Sequence, residues 1–463
     1  MAGLLLAGCA VDQADEVATY RKVLDIAATT RPATRPADQP LGLVEAMLLA
    51  NQENERLGQE GESYLQAIIN RKRALALFLP TADLAGTYTF SGDDIGSSGD
   101  QAFDLAAIGR INVFNGFRDR ARLRVADLTI EQRRLLLLNA QESLLADVVR
   151  AFHNVLRLEQ EVKVLETSLA LQEQRVLDAR ARNEAGSARM LDVSQTEAQA
   201  AGTRVRLLNT RTAAKDTRAA LAVVTGLPRA EMPLVDAGLG EAAIPTLEEA
   251  QGQAMADRSD VAAAGRFSEA SRQEVEAAVG RYYPSLAVNL KYFFEHQSNA
   301  TGPDWDAALE ANVPIFSAGL IRADVRTAWS SYRQAALFES LLRRQVMADV
   351  EIAVRANVTS RQRITELDTQ VRAAQQALDQ AEASFDAGLA TNLERLVAQD
   401  QYLNSKLQLT SEIYNQRVYA ADLARATSGL RPLLVEALSK GRRDARPAVA
   451  APATAPSTTH ISN

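Results

Sequence analysis

Residues 284–295, Pro-Ser-Leu-Ala-Val-Asn-Leu-Lys-Tyr-Phe-Phe-Glu, alternate almost without a break. Leu286, Val288, Leu290, Tyr292 and Phe294 fall on one side of an extended chain. Ala287, Asn289, Lys291, Phe293 and Glu295 fall on the other. A period of two with one apolar and one mainly polar face is the signature of a strand. The sequence around it reads as long helix, so the strand must be explained by what its two faces touch.

The same alternation recurs in three more segments, near 80–90, 102–114 and 305–316. In the first, Ala82, Leu84, Gly86, Tyr88 and Phe90 oppose Thr81, Asp83, Ala85, Thr87 and Thr89. In the next, Phe103, Leu105, Ala107, Gly109, Ile111 and Val113 oppose Asp104, Ala106, Ile108, Arg110 and Asn112. In the last, Trp305, Ala307, Leu309, Ala311, Val313 and Ile315 oppose Asp306, Ala308, Glu310 and Asn312. Four such segments, pairing as hairpins over 80–114 and 284–316, match the pattern of transmembrane barrel strands. On that reading Asp104, Arg110, Asn289, Lys291, Glu310 and Asn312 line a wet lumen. The competing reading is a small sheet that caps a soluble helical domain, which predicts the same alternation. Four strands cannot close a barrel, because even small barrels need about eight. A barrel therefore requires several copies of the chain.

The helices are unusually long. No proline and no internal glycine lies between Gly116 and Gly186, or between Gly319 and Gly388. A helix filling either interval would be a rod of roughly 100 Å at 1.5 Å per residue. Leu145, Val148, Phe152 and Val155, then Leu158, Val162, Leu165 and Leu169, follow steps of three and four. Leu367, Val371, Ala374 and Leu378 repeat that spacing. It is coiled-coil spacing, and alone it fits an ordinary two- or three-stranded coiled coil equally well.

The chain repeats itself. Gly186 aligns with Gly388 and Phe114 with Phe316, both at an offset of 202 residues. Pro80 aligns with Pro284 at 204, and Gly226 with Gly429 at 203. Ordered anchors at a nearly constant offset mark one structural unit used twice. Each unit is expected to run helix, strand, strand, very long helix, glycine turn, helix. The helices are expected near 42–76, 118–184 and 189–225, then 246–280, 320–386 and 391–428.

Composition narrows the function classes. The 463 residues carry a net charge of −7 with 5% aromatics, and no basic block suggests nucleic acid. One cysteine and three scattered histidines offer no disulfide and no metal motif. No P-loop, nucleophile elbow or paired ligand set is present, so no catalytic residue, cofactor or metal is expected and the chain is read as a non-enzyme. No apolar run approaches the roughly 20 residues of a membrane-spanning helix, so any crossing must be made by strands. Leu6-Ala7-Gly8-Cys9 resembles the bacterial lipobox, which would make Cys9 a lipidation site; an idle thiol is the plainer alternative.

Taken together, the twofold repeat, the Tyr-Pro-Ser-Leu strand entry at 283–286, the Val-Pro-Ile-Phe-Ser-Ala-Gly passage at 313–319 and the glycine turns at 186 and 388 resemble the TolC-type outer-membrane efflux family, within it the lipid-anchored members. The resemblance covers about residues 40–430. It implies a mainly helical chain with a smaller β part: two tandem repeats of antiparallel coiled-coil helices, and two hairpins per protomer contributing to a 12-stranded barrel in a homotrimer. It further implies an outer-membrane location, an adaptor partner in the periplasm and an inner-membrane transporter of the resistance-nodulation-division type. The family closes its inner tip just after the glycine turns. The matching positions are Leu191 and Asp192 after Gly186, and Leu393 and Glu394 after Gly388. Val397 stands where many members carry a further aspartate. An acidic lock, an apolar seal by Leu393 and Val397, and plain solvated charges in a first helical turn all remain open.

The expected organisation is a signal remnant at 1–9, a linker at 10–40, repeats at 41–228 and 246–430 joined by a linker at 229–245, and a tail at 431–463, disordered from 441. The expected function is the outer-membrane channel of a tripartite efflux or secretion system. The alternative is a periplasmic coiled-coil adaptor or spacer without a pore.

Overall fold

Glycine punctuation sets where the long rods end. A computed structural model of the chain describes residues 13–24, 39–91, 100–236, 243–296 and 303–444. Cys9 and the far C-terminus lie outside the described residues. The chain begins with helix α1 (Gln13–Leu24), a short strand β1 (Leu41–Gly42), and helices α2 (Leu43–Glu53) and α3 (Glu55–Ala76). Strands β2 (Thr81–Ser91) and β3 (Asp100–Asn115) lead into α4 (Arg118–Glu184), and α5 (Met190–Thr225) returns beside it. After β4 (Leu234–Val235) the pattern repeats: α6 (Leu247–Asp257), α7 (Ser259–Val279), β5 (Ser285–His296), β6 (Trp305–Asn312), α8 (Leu320–Asp386) and α9 (Asn392–Ala426). Helix α10 (Leu430–Asp444) closes the described chain.

The two rods, α4 and α8, are 67 residues each, with the ends that the glycines predict. The other boundaries differ from expectation in five places. The helix expected over 42–76 is two helices, broken at Asn54, whose extended ψ of 120° stops α2 while its side chain accepts from the Leu57 N–H at 3.1 Å and starts α3. The helix expected over 246–280 breaks likewise at Arg258, ψ 118°. The last strand stops at Asn312 rather than 316, before Pro314, which has no N–H to give a ladder. Finally, α1 occupies part of the segment expected to be linker, and α10 runs to Asp444, through the start of the tail expected to be disordered.

The main core gathers around the middle of α4. Leu145, Val148, Phe152 and Val155, the stripe read from spacing, are fully buried there with Met47, Leu221, Leu430 and Leu434. Helix α1 is held by Gln141 of α4, whose Nε2 donates to the Leu24 carbonyl at 2.8 Å and to Asn51 Oδ1 at 2.6 Å. Strands β1 and β4 pair in parallel across the inter-repeat connection. Where the strands meet the rods, Gly116 (φ 59°) and Gly280 approach so closely that a Cβ on either would strike the other's backbone oxygen. That contact joins repeat 1 to repeat 2.

Strands β2, β3, β5 and β6 form one antiparallel sheet in that order. Its central pair, β3 with β5, joins the two repeats, and β2 and β6 are its edges. Two register shifts, beside Ala106 and between Asn112 and Phe114, bend the β3–β5 ladder.

Candidate functional site

The register decides whether four alternating strands make one continuous two-sided surface. Cross-strand partners point to the same face. Gly109 pairs Leu290, which pairs Ala307; Ala107 pairs Tyr292, which pairs Trp305; Ile111 pairs Val288, which pairs Leu309. On β2, Ala82 pairs Gly109 and Leu84 pairs Ala107. Across these rows the face is apolar and uncovered, Leu84 being 69% and Leu309 71% exposed; past the register shift Glu295 stands opposite Leu105, on this face rather than on the polar one expected from strict alternation. On the opposite face Arg110 pairs Asn289, Lys291 pairs Asp306, Glu310 pairs Ala287, and Asn312 pairs Ser285. Asp104 shares that face with Arg110 by its position in β3. The six candidate lumen residues therefore lie together on one side.

At the far end of the rods sit two glycine turns. Gly186 (φ 73°) and Gly388 (φ 71°) adopt the left-handed conformation that favours glycine after a helix. Ser187 N donates to the Arg182 carbonyl at 2.8 Å and Leu389 N to the Ser384 carbonyl at 2.8 Å, the same closure in both repeats. The next helices start with caps. Glu394 Oε2 accepts the Thr391 N–H at 2.7 Å, and Thr391 Oγ1 accepts from Glu394 N at 3.3 Å, a reciprocal capping box. Asp192 Oδ2 accepts from the Arg189 N–H at 3.2 Å, and the Arg189 guanidinium donates to both its oxygens at 3.1–3.2 Å. These hydrogen bonds from Arg189 hold the Asp192 carboxyl below its usual range. The two candidate acids thus serve as helix caps. Beside them Leu191, Leu393 and Val397 are each more than half exposed.

Behind the turns lies a network that the sequence did not point to. Arg175 of α4 is buried and donates to Gln399 of α9 and Glu382 of α8. Burial, then repulsion from Arg395, lowers its pKa to about 10. Arg395 lies over the Phe385 ring, 4.1 Å from its centre, and donates to Asn392 Oδ1 at 2.8 Å. Asn392 Nδ2 donates to the Asp192 carbonyl at 3.2 Å and Thr196 Oγ1 at 3.3 Å. Arg182 reaches across repeats to Asp386 at 3.4 Å, whereas Arg189 stays with Asp192 on its own helix. The available signal was the stripe of α4 turning polar: after Leu165 and Leu169 it continues through buried Gln172 and Arg175.

Among the described residues no helix is long and apolar enough to cross a membrane, and no group of three or more His, Cys, Asp or Glu is placed to hold a metal.

The chain was compared with known proteins. It is 24% identical over 323 residues to the outer membrane efflux protein BepC of Brucella suis biovar 1, covering 68% of this chain and 70% of that protein. It is 22% identical over 305 residues to the outer membrane protein TolC of Vibrio cholerae, covering 63% and 68% respectively. Its fold matches the crystal structure of the outer membrane protein VceC from Vibrio cholerae with a TM-score of 0.73 at 21% identity, over 84% of this chain and 96% of that one. A model of the outer membrane efflux protein family matches residues 66–227 and 251–430, most of both repeats. With its twofold rods, its shared sheet and this match along both halves, the chain belongs to the outer membrane efflux protein family, a family of outer-membrane channels.

Proposed function

We propose that three copies of this chain assemble into a passive duct across the outer membrane and periplasm, the exit channel of a tripartite export system. The observation that carries this reading is the sheet. It is apolar on one face, polar on the other, and open at both edges. Exposed edges invite pairing with another copy. Closure through β6 of one copy and β2 of the next gives 12 strands for three copies, the number the family implies. The apolar face then meets lipid and Asp104, Arg110, Asn289, Lys291, Glu310 and Asn312 line the lumen. A periplasmic spacer would leave that apolar face without a partner, and no relative supports it.

The rods continue the duct through the periplasm toward an adaptor and an inner-membrane transporter. A pump of the resistance-nodulation-division type, the homotrimer, the lipid on Cys9, and the repeat boundaries at 41–228 and 246–430 belong to this proposal. At the tip, Asp192 and Glu394 are engaged as caps, while Leu191, Leu393 and Val397 project from the first turns of α5 and α9. An apolar seal at the aperture is therefore favoured over an acidic lock. Solute leaves by diffusion, and the energy comes from the pump.

The sheet faces supply the test. Leu290→Arg puts a charge on the lipid side at a cost of about 2–4 kcal/mol near the midplane, and should abolish recovery of heat-modifiable oligomer from outer membranes. Asn289→Arg, one residue away on the other face, should leave assembly intact. Equal behaviour of the two variants would overturn the duct.

A further inference from the structure

We propose that Glu62 of one copy pairs with Arg333 of the next, and that this pair carries the reverse polarity of its counterpart inside each chain. The inference rests on the oligomeric duct proposed above. Inside the chain, repeat 1 meets repeat 2 where α4 lies against α7, and Arg266 of α7 reaches Glu131 of α4 at 2.8 Å. The repeats superpose in sequence with α3 on α7 at an offset of 204, matching the breaks at Asn54 and Arg258, and with α4 on α8 at 202. Applying those offsets to the internal boundary generates the external one: α8 of one copy against α3 of its neighbour. Arg266 maps to Glu62 and Glu131 maps to Arg333. Both signs are exchanged. Both side chains are exposed in the single chain, and neither has an ion-pair partner among the described residues.

The sheet, carried over by the same repeat offsets, gives a consistent boundary. Carrying the β3–β5 register across places Leu309 of β6 opposite Tyr88 of the neighbouring β2, as Ala107 stands opposite Tyr292 inside the chain. It also brings Ala311 opposite Gly86, as Gly109 stands opposite Leu290. Apolar residues meet apolar residues, and the outward face stays continuous.

The reversal discriminates between boundaries. Were a neighbour's α3 to dock on α4, Glu62 would face Glu131. Were a neighbour's α7 to dock on α8, Arg266 would face Arg333. Both mispairings set like charges together, while the two proper ones do not. Specificity of this kind is obtained by repulsion in the wrong partner as much as by attraction in the right one. The pair thus favours the contact of repeat 2 with the next copy's repeat 1 over the like-charge alternatives.

The test uses the full chain in outer membranes, with Cys9 retained. The double variant Glu62→Cys/Arg333→Cys is treated with a short bifunctional maleimide and run on a denaturing gel. Covalent dimers and trimers are expected, whereas Arg266→Cys/Glu131→Cys should link only within one chain. Leu309→Cys/Tyr88→Cys reports the sheet boundary separately. Links from 309 to 88 without links from 62 to 333 would overturn the ion pair and leave the duct standing. A monomeric protein with neither link would remove both. Charge reversal gives a second readout: Glu62→Arg or Arg333→Glu should each lower the temperature at which the oligomer dissociates, and the two together should restore it. A double variant no better than the worse single one also overturns the pair.

Discussion

Arg175 shows how one side chain ties three helices. It enters from α4 and engages Glu382 on α8 and Gln399 on α9. A hydrogen bond to a charged group contributes about 1.5–3 kcal/mol, and truncation leaves its partners without it. Arg175→Met should therefore loosen the tip, raising single-channel conductance in planar bilayers and lowering the melting temperature. His153 acts at the other end of the core. It is buried, its Nδ1 donates to the Val149 carbonyl at 2.9 Å, and burial pushes its pKa below the usual value. The unfolded chain binds this proton near pH 6.5, the folded chain only at lower pH. Stability therefore falls as pH drops below about 6.5, because the unfolded state then holds more protons. His153→Gln should flatten that dependence between pH 7.5 and 5.5 in thermal unfolding followed by circular dichroism.

At the scale of elements, what was legible depended on punctuation. The rods were readable to the residue because glycine frames each one and nothing inside it breaks a helix. The alternation in β2, β3, β5 and most of β6 was equally plain. The breaks at Asn54 and Arg258 were not, since neither glycine nor proline marks them; Asn54 caps the Leu57 N–H, whereas Arg258 makes no side-chain cap and its guanidinium instead pairs with Asp260. Helix α10 was hidden by Pro432, which is tolerated in a first helical turn but reads as a breaker. The tip network was hidden because it joins residues some 200 positions apart, such as Arg175 with Glu382. The crossing of Gly116 and Gly280 was also invisible, although it fixes how strands leave the rods. Gly280→Val should force the two backbones apart at a cost of about 1–3 kcal/mol, read as a lower yield of folded protein. A surface glycine with open space around it, Gly202, should accept Val far more readily.

At the scale of the molecule, the repeats agree in outline and differ in their surroundings. The stripe of α4 is closed by neighbours on both sides. Along α8, Leu337, Phe338 and Ile352 remain more than half exposed. Ile315 and Phe316, just beyond the end of β6, are 95% and 89% exposed. These are the surfaces that a second copy would cover in the proposed duct, and the internal boundary, fully present in one chain, is the template for that contact.

The glycine crossing carries one more consequence. Its counterparts at the junction between copies are Ala318 and Ala76, each with the methyl group that Gly116 and Gly280 lack. In the trimer proposed above, narrow seams would then alternate with wider ones. Any dilation of that proposed ring would then follow the three seams between chains rather than the contacts within them.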